Sequence, residues 1–177
     1  MIKVFAPKLL EDDLCDFLGS LNTLTNHRFT GIYRFEPGWV VSVALFDREN
    51  PDLRIGADVK MKESYCWLTG LGGITYVIED ACNDPRLSSH PARDEVRSYV
   101  AVLLRDRKGE AWGTLCHFDF APRQVDLQTR IHLEFFRPLV EEMFVRDKPA
   151  LWQPDAPSIH RATRIVGVEQ GQTQLRP

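Results

Sequence analysis

Cysteine and histidine are the side chains that most readily do chemistry near neutral pH, and this 177-residue chain holds four of the first and five of the second. The cysteines are Cys15, Cys66, Cys82 and Cys116, and His117 follows the last directly. A thiolate can attack an electrophile and a second thiol can resolve the product, while four thiols or imidazoles at short spacing can close around zinc. These cysteines form no CxxC pair and have no histidine at ligand spacing, so no metal site is expected. In a reducing compartment they read as free thiols that behave as small buried hydrophobes. Among carboxylates, Glu79-Asp80 lie side by side at a strand end and leave on opposite faces, which does not make an acid and base pair. There is no Ser-His-Asp order and no HExxH run, so a hydrolase has no candidate site. Gly70, Gly72 and Gly73 precede a strand, whereas a phosphate loop needs glycine before a helix and a lysine. They read as a helix ending. No catalytic constellation is expected.

The elements that must position these residues follow from hydrophobic spacing. Leu10, Leu14, Phe17, Leu21 and Leu24 recur at steps of four and three, which predicts an amphipathic helix from Pro7 to about Asn26. Phe29 to Glu36 and Trp39 to Phe46 read as a hairpin about Pro37-Gly38, the first strand with one apolar face and the second apolar on both. Asp47 to Asp58 is a surface loop by composition, Lys62 to Leu71 a short helix, and Ile74 to Glu79 a strand. Asn83-Asp84-Pro85 predicts a cap and one short helical turn within the polar connection Asp80 to Pro91. Ser98 to Leu104 and Ala111 to Phe120 read as a second hairpin. Val125 to Val145 reads as a helix with a stripe of Leu127, Ile131, Phe135, Leu139 and Met143, beside Phe136, Val140 and Phe144. So wide a stripe is expected to touch both its sheet and a second helix, and Pro138 predicts a kink or break near Phe135. A domain over 1–146 and an extended or partly disordered extension over 147–177 complete the chain. The order describes an α+β fold with an antiparallel sheet.

Composition narrows the partners. Hydrophobic residues are 44% and charged residues 27%, a globular mixture, and the net charge of −3 supplies no basic face for nucleic acid. The start MIKVFAPKLLEDD fits neither a signal peptide nor an anchor, and no later run is long enough to span a bilayer. The expectation is a cytoplasmic protein that meets neither membrane nor nucleic acid.

Glu63-Ser64-Tyr65-Cys66, Val77-Ile78-Glu79-Asp80-Ala81 with Asp84-Pro85-Arg86, and Tyr99 to Leu104 leading to Trp112-Gly113-Thr114-Leu115-Cys116-His117-Phe118-Asp119 and Pro122-Arg123 follow in an order and spacing that resembles GAF domains, especially those of bacterial signalling proteins. The resemblance covers about Leu9 to Phe144. It implies a central antiparallel sheet of five or six strands, the N- and C-terminal helices packed together on one face, and short helices and loops over the other. It also implies a ligand cavity beneath the covering elements and dimerisation through the terminal helices. The residues in or beside those elements are Tyr65, Cys66, Trp67, Asp80, Arg86, Arg97, Tyr99 and His117, which are the candidate ligand contacts. Each also has a structural role open to it. Tyr65 and Trp67 can pack on the sheet, Asp80 can cap the next turn, Arg86 can pair with Asp84, and His117 can be a satisfied core histidine.

Cys116-His117 is similar to the pair that tethers a bilin in phytochrome GAF domains, but there the tethering cysteine precedes the strand matched by Tyr99 to Leu104. Asp84 to Arg97 contains none, so a covalent bilin is not expected. Haem ligation by His117 has no supporting motif, the residue set of the cyclic-nucleotide branch is missing, and no particular cofactor is indicated. The expected function is a small-molecule-binding sensory or regulatory domain acting as a homodimer or on a partner protein, since no output segment follows Phe144. An interaction scaffold without ligand is the alternative. Thiol-dependent reduction of free methionine sulfoxide is the second, with Cys82 as the thiol at the loop's start.

Overall fold

A computed structural model of the chain describes residues 6–146, with side-chain surroundings given for 13–144. The expected extension over 147–177 lies outside the described residues. The first helix, α1 (Ala6–Asn22), buries Leu14, Cys15, Leu18 and Leu21. It stops short of the expected Asn26 because its last carbonyls find other donors: the Arg48 guanidinium donates to the Asn22 and Thr25 carbonyl oxygens, both at 2.7 Å. Leu24, beyond that stop, is exposed rather than part of the stripe.

Six strands form one antiparallel sheet: β1 (Phe29–Glu36), β2 (Trp39–Asp47), β3 (Val59–Lys60), β4 (Tyr76–Ile78), β5 (Ser98–Arg105) and β6 (Ala111–Asp119), in the order β3-β2-β1-β6-β5-β4. The β1–β2 hairpin turns at Pro37-Gly38, where Gly38 takes a φ of 78° that a side chain would disfavour. In the β5–β6 hairpin the Asp106 carboxylate accepts from the Lys108 and Glu110 amides at 2.8 and 2.9 Å. The two hairpins join edge to edge through β1 and β6, placing Gly31 beside Cys116 and Thr30 beside His117 at the centre of the sheet.

Side chains alternate across the sheet, so it carries two cores. On one face α1 and α3 (Leu127–Arg146) cover Ile32, Ala44, Val100, Val102, Leu104 and Leu115, and the helices meet where Phe17 packs edge-on against Phe136, centroids 5.7 Å apart. On the other face α2 (Tyr65–Gly72) and the loops covering the sheet pack on Phe29, Tyr33, Val40, Tyr99, Cys116 and Phe118. β2 contributes to both cores, as its doubly apolar sequence requires. Helix α2 begins on Ser64, whose hydroxyl accepts from the Cys66 amide at 3.1 Å, and ends on Gly73 in the left-handed region at φ 64°.

Of the kink or break expected near Phe135, the break does not occur, since α3 runs through Pro138, and its buried face is not the expected stripe. Leu133 and Val140 are buried with Phe136, Met143 and Phe144 packed beside them, while Leu127, Ile131, Phe135 and Leu139 are exposed by 46–73%. Four residues overshoot a 3.6-residue turn by about 40°, so a run of steps of four winds off the face that alternating steps of three and four stay on.

Candidate functional site

Between the sheet and its α2-side cover lies a cavity of about 280 Å³. Tyr33 of β1, Tyr99 of β5 and Cys116 and Phe118 of β6 make its floor, Ser64, Tyr65 and Cys66 at the start of α2 one wall, and the segment Pro91 to Val96 another. These positions are dictated by register. Gly31 and Cys116 are paired, and with Phe29, Tyr33 and Phe118 they share the face that α2 covers.

The polar groups facing this space are few. The Tyr99 hydroxyl donates to the Cys66 sulfur at 3.4 Å and shares a bond of 3.2 Å with the Thr69 hydroxyl. Burial pushes the Tyr33 and Tyr99 phenols up, so both stay protonated. The Cys66 thiol lies beside the Cys116 thiol, and the interaction splits them. The Cys116 S–H, then the Ser64, Thr114 and Tyr99 hydroxyls, hold Cys66 down to about 6 against its burial. Burial, and then Cys66 itself, push Cys116 up. The two thiols titrate as a coupled pair, Cys66 shifted down and Cys116 up. Among the described residues no lysine, arginine or histidine lines the cavity, and the two charged lining residues, Glu63 and Glu95, are exposed acids.

The covering segment is held by a set of ion pairs and caps outside the cavity. Asp80 caps the turn Ala81–Asn83, accepting from the Cys82 amide at 3.3 Å, and pairs with Arg97 at 2.6 Å. The Arg97 guanidinium keeps the Asp80 carboxyl below its usual range. Arg86 grips Asp84 and donates to the Val77 carbonyl at 2.8 Å, with its guanidinium over the Tyr76 ring. The Tyr65 hydroxyl donates to the Val96 carbonyl at 3.2 Å, and its ring packs at a tilt between those of His90 and Tyr99, with centroids 4.6 and 5.6 Å away.

Of the eight candidate contacts, the structure therefore brings Tyr65, Cys66 and Tyr99 together at the cavity. Asp80, Arg86 and Arg97 lie in its cover and are engaged as staples, and Trp67 is half-buried on α2 outside the lining. His117 lies on the opposite face of β6 from the cavity. It is fully buried under the terminal helices, its Nδ1 2.8 Å from the Thr30 hydroxyl and its ring stacked on His27. Burial holds it down to about 3. Sequence reasoning singled out His117 and let Cys116 go; strand alternation, with Phe118 as the apolar neighbour two residues on, is the signal that assigns Cys116 to the cavity face. Cys82 is also outside the lining, its sulfur directed at the Arg93 carbonyl at 3.4 Å.

No family model and no curated protein matches the chain. Solved structures do. The GAF domain of an Acinetobacter phosphoenolpyruvate-protein phosphotransferase aligns at 15% identity with TM-score 0.61, over 77% of this chain and 82% of that one. Free methionine-R-sulfoxide reductase from Neisseria meningitidis, solved with its substrate, aligns at 18% identity with TM-score 0.60, over 77% and 78%. The GAF domain of a Bacillus halodurans two-component sensor histidine kinase aligns at 12% identity with TM-score 0.56, over 81% and 96%. The chain is thus an α+β domain of GAF-type fold.

Proposed function

We propose that this domain is a regulatory binding module whose ligand is a small uncharged or cationic molecule with an aromatic or apolar body. The observation that carries this reading is the cavity itself. Its floor is aromatic, its charged lining residues are acids, and among the described residues no basic side chain lines it to meet a phosphate or carboxylate. About 280 Å³ is at the small end of the roughly 300–1,000 Å³ usual for ligand pockets, which favours a compact molecule. A thermal-shift screen tests it. Amines and neutral heteroaromatics should stabilise saturably, by about 2.7 kcal/mol at a hundredfold excess over Kd, and nucleotides should not. Ala92→Phe, which fills the lining, should abolish the shift. No hit from either group supports the scaffold alternative.

The output runs through association. The exposed Leu127, Ile131, Phe135 and Leu139 on α3 supply an apolar surface for a homodimer through the terminal helices, or for a partner protein. Thiol-dependent reduction of free methionine sulfoxide stands as the second reading because two thiols, Cys66 and Cys116, lie at the cavity wall. A coupled reductase assay on the wild type and on Cys66→Ser decides it, since turnover that needs Cys66 replaces the binding module with an enzyme.

A further inference from the structure

We propose that Cys66 and Cys116 form a two-thiol redox site that a small hydroperoxide entering the cavity converts to an intramolecular disulfide. Three observations carry it. Both thiols line the same cavity, and each is less than 5% exposed, so a reagent meets them there. They lie beside one another, from α2 and from β6, two elements packed together far apart in sequence. The hydrogen bonds around them are unequal. Cys66 receives the Tyr99 hydroxyl at 3.4 Å and sits in the first turn of α2, whose backbone dipole favours negative charge. The Thr114 hydroxyl, fully buried, faces the same sulfur and has no other partner among the described residues. The Cys116 sulfur lies instead 3.5 Å from the Gly31 carbonyl, and burial keeps its thiol protonated. One sulfur is therefore set up as the nucleophile and its neighbour as the resolving thiol. Cys15 lies on the other face of the sheet and Cys82 outside the lining, so neither competes for the partner.

The chemistry balances without a further reductant. The Cys66 thiolate attacks the hydroperoxide oxygen, forming S–O as O–O breaks, and the departing alkoxide takes a proton from water. The Cys116 sulfur then attacks the Cys66 sulfur, S–S forms as S–O breaks, and the hydroxide leaves as water with the Cys116 proton. Two thiols lose two electrons, and the hydroperoxide becomes an alcohol and water. The new bond would draw Cys66 away from Tyr99 and Thr114 and reshape the wall that a ligand meets.

Hydrogen peroxide on the full chain, followed by non-reducing peptide mapping, is the test. The expected result is a Cys66–Cys116 linked peptide with loss of two hydrogens. In Cys116→Ser the reaction should stop at a Cys66 sulfenic acid trapped by dimedone. Cys66 in the folded chain should react about tenfold faster at pH 7 than in urea. Oxidation confined to Cys82, a disulfide between molecules, or equal rates in folded and unfolded chains would overturn the inference, and the wild-type map stands even if a variant fails to fold. The inference shares with the proposed ligand binding only the premise that small molecules reach the cavity. Ligand stabilisation with inert thiols removes this inference alone, and a linked peptide without any ligand hit removes the other.

Discussion

The Tyr99 hydroxyl touches both the Cys66 sulfur and Thr69, so a single oxygen tunes the thiol and ties β5 to α2. Tyr99→Phe keeps the ring and removes that oxygen. The expected cost is about 1 kcal/mol of stability, from the lost hydrogen bonds, and a Cys66 alkylation profile displaced to higher pH. Iodoacetamide labelling across pH 5 to 9, read at Cys66 by mass spectrometry, checks it; an unmoved profile means the hydroxyl is structural only. At this scale the reading from sequence was uneven for a physical reason. Tyr65, Cys66 and Tyr99 came from elements whose placement the resemblance implied. His117 and Cys116 are neighbours on one strand and leave on opposite faces; alternation groups Cys116 with Phe118, and the packing of α2 over that face makes it the cavity side.

Among the elements, β6 shows why Gly113 follows Trp112. A methyl at Gly113 would collide with the backbone carbonyl of Tyr33 on the adjacent strand, an atom that can move only by distorting β1. Gly113→Ala should therefore destabilise by roughly 2–4 kcal/mol, the range of strongly disruptive substitutions, in urea denaturation; a change below ~0.5 kcal/mol would show that the sheet relaxes around it. Pro138 makes the opposite case. It is exposed within α3 and removes one backbone donor from an otherwise continuous helix, so Pro138→Ala should stabilise by about 1–3 kcal/mol, read as a raised Tm. The strands and α1 were legible because alternation and the helical repeat are strong local signals. The break expected in α3 failed because packing of Leu133, Phe136 and Val140 on the sheet outweighs one missing bond.

For the molecule as a whole, acid should act through the layer beneath the terminal helices. Burial holds His27 down to about 4 and His117 to about 3, and the Nε2 of each has no partner among the described residues. Both are neutral when folded, whereas an unfolded histidine titrates near ~6.5. Below that pH the unfolded chain takes up protons that the folded chain refuses, so the histidine contribution is intact above about 6.5 and falls as the pH drops toward 4, whereas Cys66, held to about 6, loses its contribution between about 9 and 6. The buried carboxylates with lowered values, such as Asp47, act only below about 4, so between about 6 and 4 the histidines dominate, with His90, also lowered by burial, adding to His27 and His117. Urea denaturation at pH 7.5, 6 and 5 should show a loss on the order of 4 kcal/mol from His27 and His117 together, and a flat profile excludes the effect. Association is the second property at this scale. Leu139→Glu should yield monomers by light scattering without loss of fold, because Leu139 is exposed by 50% and contributes little to the core; a monomeric wild type defeats the dimer. No helix among the described residues is long and apolar enough to cross a membrane.

The sequence by itself determined the order of elements other than β3, the two hairpins, the capped turn at Asp84-Pro85 and the GAF-type fold, because each rests on contacts within a few residues or on a motif written in line. The tertiary structure alone decided that Cys66 and Cys116, fifty residues apart, share one cavity wall. It also decided that Arg86 and Arg97 are held as staples and that His117 belongs to the helix-side core. Those outcomes turn on which face of the sheet each side chain leaves and on what packs above it, and both are properties of strand register and burial rather than of neighbouring letters.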